Sequence, residues 1–513
     1  MMMILLAEST LRRLRERICG RGNEEDERME KLRKRLNAWN DGTGGPRKGD
    51  WMAALAIGAI LTLFFCFLKD FKLTVTQSLT FDSCLFNGRL KDFYTIVNKQ
   101  ALSGYYDAVW GKNLSAGANY SIINYATLGV LCLPIYVIEK LAHITIPFVV
   151  YELELKLLFA AAVLYLTKVL ADICTAVSMK EETKKWVTFC FLTSPILWYG
   201  FLMISQMDIF AVLFMVLGLR AWLQKKKIWE LAFFAIAVFY KPLVLIGLIP
   251  LFLLREKRIS YILRDCIVSV LGLLLQQIFY GSDPGYQRVQ KYMSGLYSFW
   301  ERLFNAGIPT TRNVYTANSS YFIILFILIC IVAYSIHNMT MQLAFGLPML
   351  SWLSFILFVQ WHPNWLFYMV PFAVMMLGFS YRKKLLCLIE CVFSVCWLAV
   401  CALGWLFNYD NDLINGGVFS QLLGIHTEGG ESGTICPILV QKLAGIPVDL
   451  YISLLSAVLV AWMAAVGSDL YRNRKGMKMG KKEMTFERGP VLLRSLPMML
   501  FILYSFAICF VSV

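Results

Sequence analysis

Apolar runs close to the length of a bilayer crossing recur along this chain, and most are bounded by Lys and Arg. They lie at roughly 51–69, 121–139, 154–176, 187–203, 207–223, 229–240, 243–254, 261–280, 321–337, 341–359, 364–380, 383–407, 448–468 and 491–512. About 20 apolar residues in a helix cross the hydrocarbon layer. A helix also pairs its own backbone polar groups, which lipid cannot do. Hydrophobic residues make up 58% of the 513 and charged residues 16%, against about 45–50% and 25% in soluble domains. A soluble fold could not hide that much apolar side chain. Strand-like alternation over ten-residue segments is lacking, which argues against an outer-membrane barrel. The expected fold class is all-α: a polytopic transmembrane helix bundle of about 13–15 spans with a long first outer loop.

The net charge of +15 would suggest nucleic acid in a soluble protein. Here the cations sit at the ends of apolar runs, where topology needs them, and no nucleic-acid partner is expected. Clusters at Lys180–Lys185, Lys225–Lys227, Arg255–Arg258, Arg382–Lys384 and Arg472–Lys482 are assigned to the cytoplasm. The opposite side then holds 70–120, Ser205–Asp208, Lys241-Pro242, 281–320, Gln360–Trp365 and 408–447. Residues 1–50 read as a cytoplasmic basic extension lying on the membrane surface. A transmembrane core covers 51–407, an outer loop 408–447, and C-terminal helices 448–513 enclose a basic loop at 471–490. One stretch resists this parity. Lys140 and Lys180 both look cytoplasmic, yet only 154–176 reads as a span between them, so a compressed hairpin or an interfacial neighbour is required. The pair 229–240 and 243–254 is expected to be a hairpin of short helices meeting at Lys241-Pro242.

Most of the fourteen Cys lie inside apolar runs and read as small hydrophobes. Cys84 and Cys436 fall in outer loops, where pairing is open. Asn113, Asn119 and Asn318 stand in N-x-Ser sequons, which occur by chance. No cleavable signal peptide and no internal repeat are evident.

Unusual polar residues collect on the outer side. They are Asp82, Asp92 and Tyr94 in SLTFDSCLFNGRLKDFY, the tetrad Ser205-Gln206-Met207-Asp208, Lys241 before Pro242, and the stretch Gln360-Trp361-His362-Pro363-Asn364-Trp365. Taken singly, each has a plain reading: a solvated carboxylate, a helix kink with a snorkelling Lys, an interfacial aromatic belt. Together on one side they point to a cavity, since ionisable groups at membrane depth are costly. Sugar transfer from a lipid phosphate suits such a cavity. A carboxylate takes the proton of an acceptor hydroxyl, and cations or N–H donors meet the charge on the departing phosphate. The competing class is transport, as in a lipid-linked oligosaccharide flippase, with a polysaccharide polymerase or ligase as a third reading. A flippase would favour paired repeats and charges along both halves, whereas 364–513 looks nearly free of intramembrane charge.

These residues resemble the GT-C superfamily of polytopic glycosyltransferases, which use polyprenyl-phosphate sugars on the outer or lumenal face, and its mannosyltransferase-type members most. The likeness rests on 81–94, on TSPILWYGFLMISQMDIFAVLFMVLGL at 193–219, on AVFYKPLVLIGLIPLFLLREKRI at 237–259, on QWHPNWLFYMVPF at 360–372 and on the general topology. The resemblance implies an inverting transferase moving a hexose such as mannose to a glycan or glycolipid acceptor. It implies Asp82 as general base, with Asp92 as the alternative, Gln206 and Asp208 at the sugar, Lys241 facing the donor phosphate, and His362 nearby. It implies no cofactor and no dedicated metal site. The membrane would be the plasma membrane in a bacterium or the endoplasmic reticulum in a eukaryote. Ser205 departs from the family pattern, in which Gly is common, and the adjacent acidic pair of some protein O-mannosyltransferases is lacking.

Overall fold

The computed structural model describes residues 23–106, 117–295, 299–304, 306–312, 315–359, 361–404, 413–424, 445, 447–474 and 485–511. Gln360, Asn113, Cys436 and most of the loop at 408–447 lie outside them. Among the described residues, helix dominates, and the one sheet is an antiparallel hairpin of β1 (Gly307–Arg312) and β2 (Tyr315–Ser320). Seven helices are long and apolar enough to cross a membrane, and a bent pair can be counted as an eighth. The chain is thus a multi-pass membrane protein. Shorter apolar helices fill out the bundle, which is why a reading of apolar runs counts more spans than a length criterion does.

The chain opens with α1 (Asn23–Asn40), α2 (Lys48–Phe64), α3 (Leu68–Phe86) and α4 (Phe93–Leu102). It continues with α5 (Ile122–Ala142), α6 (Phe148–Ala176), α7 (Glu181–Leu192) and a π-helical turn at Trp198–Met203. Next come α8 (Asp208–Leu223), α9 (Lys227–Tyr240), α10 (Leu245–Arg255) and α11 (Ile259–Tyr280). After the β-hairpin follow α12 (Tyr321–Ser335), α13 (Met341–Phe358), a 3₁₀ segment at Pro363–Met369, α14 (Val370–Phe379) and α15 (Lys383–Gly404). The short α16 (Val418–Leu423), α17 (Val448–Arg474) and α18 (Arg488–Val511) complete the chain.

Polar contacts sort the helix ends into two groups. At the basic end, Arg220 meets Asp172 at 2.9 Å, Lys227 meets Asp265 at 2.8 Å, and Arg255 contacts both Glu230 and Asp265. The first turn of α9 therefore lies beside the last turn of α10, so these two helices do form the expected hairpin about Lys241-Pro242. Residues before α2 are anchored at this end too. Asp50 holds Arg488 at 2.6 Å, Arg488 lies over the Trp39 ring, and Trp186 Nε1 donates to the Gly42 carbonyl. The last part of the 1–50 extension is thus docked on α7 and the start of α18.

The parity problem resolves through α5. Its first turn meets α9, with Ser121 Oγ donating to the Phe239 carbonyl at 2.5 Å. Its last turn meets the start of α6, where Tyr151 donates to Glu139 at 3.2 Å. The start of α6 in turn lies against α3, with Phe148 and Phe71 rings 6.2 Å apart. Both ends of α5 are therefore at the site end, and one traverse, α6, joins Lys140 to Lys180. Lys140 does not belong with the basic loops as its charge suggested.

A second expectation is also corrected. The C-terminal third carries buried charge: Arg494, fully buried, holds Glu390 at 3.0 Å, the Cys190 carbonyl at 2.7 Å and Thr193 Oγ1 at 2.7 Å. The reason is a break in α7 before Pro195, which leaves carbonyls that need donors inside the bundle.

Candidate functional site

At the end opposite the basic loops lies a small cleft lined by Asp70, Phe71, Thr74, Tyr120, Asn124, Leu128, Ser205, Gln206, Met207, Asp208 and Lys241. Breaks in the helices build it. Helix α2 stops at Phe64, residues 65–67 are non-helical, and α3 leaves at 73° with Asp70 in its first turn. Without that bend, Asp70 would continue along the axis of α2. The second break is Lys241, whose extended backbone (φ −152°, ψ 113°) ends α9 ahead of Pro242. The carbonyls it frees at Phe239 and Tyr240 accept from Ser121 Oγ and from Asn124 Nδ2, the latter at 3.2 Å. The third is Ser205, held in the left-handed region at φ 60°. Glycine enters that region without a Cβ clash, whereas a Ser does so at a cost in backbone strain.

The side chains form a connected set. Gln206 Nε2 donates to Asp70 Oδ2 at 2.6 Å, and Tyr120 OH donates to the same oxygen at 3.2 Å. Asn364 Nδ2 donates to Gln206 and, at 2.5 Å, to Asp208 Oδ2, while Tyr368 OH donates to Asp208 Oδ1. Lys241 Nζ lies 3.8 Å from Asp208 Oδ1, 5.0 Å from the centre of the Tyr120 ring and 5.9 Å from that of Trp365. Arg302 lies 5.8 Å from the Trp365 ring, which His362 also packs against. Burial, with the charges of Arg302 and Lys241, pushes the His362 imidazole down to about 3. It is therefore neutral at ordinary pH, and the cations here are Lys241 and Arg302.

Three of the residues singled out in the sequence, Gln206, Asp208 and Lys241, share this cleft, and His362 flanks it through Trp365. The two candidate bases do not line it. Asp82 is on α3 twelve residues past Asp70, about 18 Å along the helix, and its carboxylate packs on Gly129 of α5. It is buried, and its Oδ2 has no hydrogen-bond partner. Asp92 is exposed and pairs with Arg89 at 3.2 Å. The carboxylate that does line the cleft, Asp70, sits in CFLKDF, which reads as the flank of a span; Tyr120 and Tyr368 carry no motif. The flanking acid in Lys-Asp-Phe-Lys was the only available signal. Among the described residues, no three His, Cys, Asp or Glu converge as metal ligands would. Cys84 is a buried free thiol.

Such a set can hold an anion beside Lys241 while Asp70, in the same cleft, accepts a proton. Compared with protein families, with curated proteins and with solved structures, the chain finds no match.

Proposed function

We propose that this chain is a membrane glycosyltransferase of the GT-C kind, moving a hexose such as mannose from a polyprenyl-phosphate donor to a glycan or glycolipid acceptor. The observation that carries the reading is the convergence of Asp70, Gln206, Asp208 and Lys241 on one cleft at the end away from the basic loops. In this reading the general base is Asp70, in place of Asp82 or Asp92. The acceptor hydroxyl loses its proton to Asp70 as its oxygen bonds to the anomeric carbon. The bond from that carbon to the phosphate oxygen breaks on the opposite face, so the configuration inverts. Lys241 meets the charge gained by the departing phosphate. Asp208, already engaged by Tyr368, Asn364 and Lys241, holds the ammonium in place and is not itself the base. Gln206 bridges the two carboxylates through Asn364 and orients Asp70.

The test is turnover in detergent. Purified protein is given radiolabelled sugar on a polyprenyl phosphate together with candidate glycan and glycolipid acceptors. Transfer without a sealed vesicle supports the enzyme. Movement of intact lipid-linked sugar across proteoliposomes, with no transfer, would replace it with the flippase reading.

A further inference from the structure

The position of Asp70 depends on the 73° bend between α2 and α3, yet residues 65–67 are Phe-Cys-Phe, with no Gly or Pro to make it. The backbone there must find partners from elsewhere, because a helix end in an apolar interior leaves carbonyls and N–H groups unpaired. The partners come from two distant parts of the chain. Lys156 of α6, only 1% exposed, donates from Nζ to the Thr62 carbonyl at 2.6 Å and to the Phe65 carbonyl. The Cys66 N–H donates to the Leu413 carbonyl at 2.7 Å. Residues 413–424 also close over the break, so tightly that a Cβ on Gly417 would lie 2.2 Å from the Phe64 carbonyl oxygen. Glu152, one turn before Lys156 and fully buried, lies within electrostatic reach of it, and Gln421 from α16 donates to its Oε2.

The geometry points to Lys156 as the positioning residue of the cleft: its buried ammonium caps the end of α2 at Thr62 and Phe65, where the chain turns into α3, and so sets where Asp70 stands. A Lys serving only to fill space or snorkel would send its Nζ toward solvent. This one ends on two backbone carbonyls at the end of α2, where the bend begins. Glu152, Gln421 and the 413–424 segment complete the clamp from the outer side, which couples the loop after α15 to the first turn of α3. The catalytic consequence rests on the transfer reading above; the clamp itself does not.

Spin labels at Met52 and Phe86, both exposed, report the bend directly. With a 1.5 Å rise per residue, the bent pair puts them about 40 Å apart and a straight pair about 50 Å. The variant Lys156→Met with Glu152→Gln removes both charges together, so that neither is left buried alone. The distance distribution is expected to lengthen toward about 50 Å or to broaden by more than about 5 Å, and Lys156→Arg, which can still reach both carbonyls, to restore it. In transfer assays the double variant should lose about 10-fold or more in kcat, with the donor KM within about 3-fold. Should the double variant not fold, Lys156→Gln, which keeps one N–H donor, must broaden the same distribution. An unchanged distribution overturns the clamp, whatever the activity. A changed distribution with kcat and KM moving only as the folded fraction does would make Lys156 structural and overturn its positioning role. If the unmutated protein transfers no sugar, the distance measurement decides the clamp alone and the failure belongs to the transfer reading.

Discussion

Replacing Lys241 by Met removes an ammonium and keeps the alkyl stem, so packing against Tyr120 and Trp365 changes little. The ammonium lies 3.8 Å from Asp208, and its side chain is 19% exposed, so a phosphate meeting it is partly shielded from water. Hydrogen bonds to charged groups contribute about 1.5–3 kcal/mol. At about 1.4 kcal/mol per tenfold change, donor binding should weaken by about 10- to 150-fold. The fold should survive, because Asp208 keeps Tyr368 and Asn364 as donors; about 1–2 kcal/mol of stability is expected to go with the lost cation. Titration calorimetry with a short-chain polyprenyl phosphate gives the affinity, thermal unfolding the stability, and Lys241→Arg serves as the charge-keeping control. Unchanged affinity with an intact melting temperature would remove Lys241 from the donor site. A collapse of stability with no separate effect on binding would make it the structural counter-ion of Asp208.

Three further outcomes are expected. Tyr120→Phe deletes a 3.2 Å hydrogen bond to Asp70 and should slow transfer about 5-fold, as the loss of about 1 kcal/mol implies, read as kcat with donor affinity unchanged. Arg255→Met leaves the Glu230 and Asp265 carboxylates buried at the far end. It should cost about 3 kcal/mol, the lower end for a broken buried pair because Lys227 and Arg264 remain. The melting temperature should fall while the folded fraction keeps its activity. Cysteines placed at the exposed positions Asn318 and Leu423 should react with an impermeant reagent from outside, whereas cysteines at Lys225 and Lys384 should not; the reverse pattern would invert the topology.

The sequence made the membrane bundle legible, because apolar run length and flanking charge are local properties. It also made Gln206, Asp208 and Lys241 legible as companions, since each interrupts an apolar run on the same side of a charge-assigned topology. Asp70 was not legible. Its helix break has no local signal and is made by Lys156 and Leu413, residues remote in the chain that pair the freed backbone. The apolar run after Ser121 likewise reads as a span, and only contacts at both of its ends show that α5 begins and finishes on one side. Asp82 looked like the better base because it stands in a polar, loop-like stretch; the chain there is still helix, and it turns that carboxylate onto Gly129.

The central claim is that Asp70 takes a proton in sugar transfer, and the rate of transfer by Asp70→Asn beside Asp82→Asn tests it most directly. Asn keeps the shape and the hydrogen bonds but cannot serve as a base, and a general base contributes about 10²–10⁴-fold. The account predicts a loss of that size in kcat for Asp70→Asn with donor affinity kept, and a change under about 3-fold for Asp82→Asn. Full activity in Asp70→Asn, or a loss confined to Asp82→Asn, would contradict it.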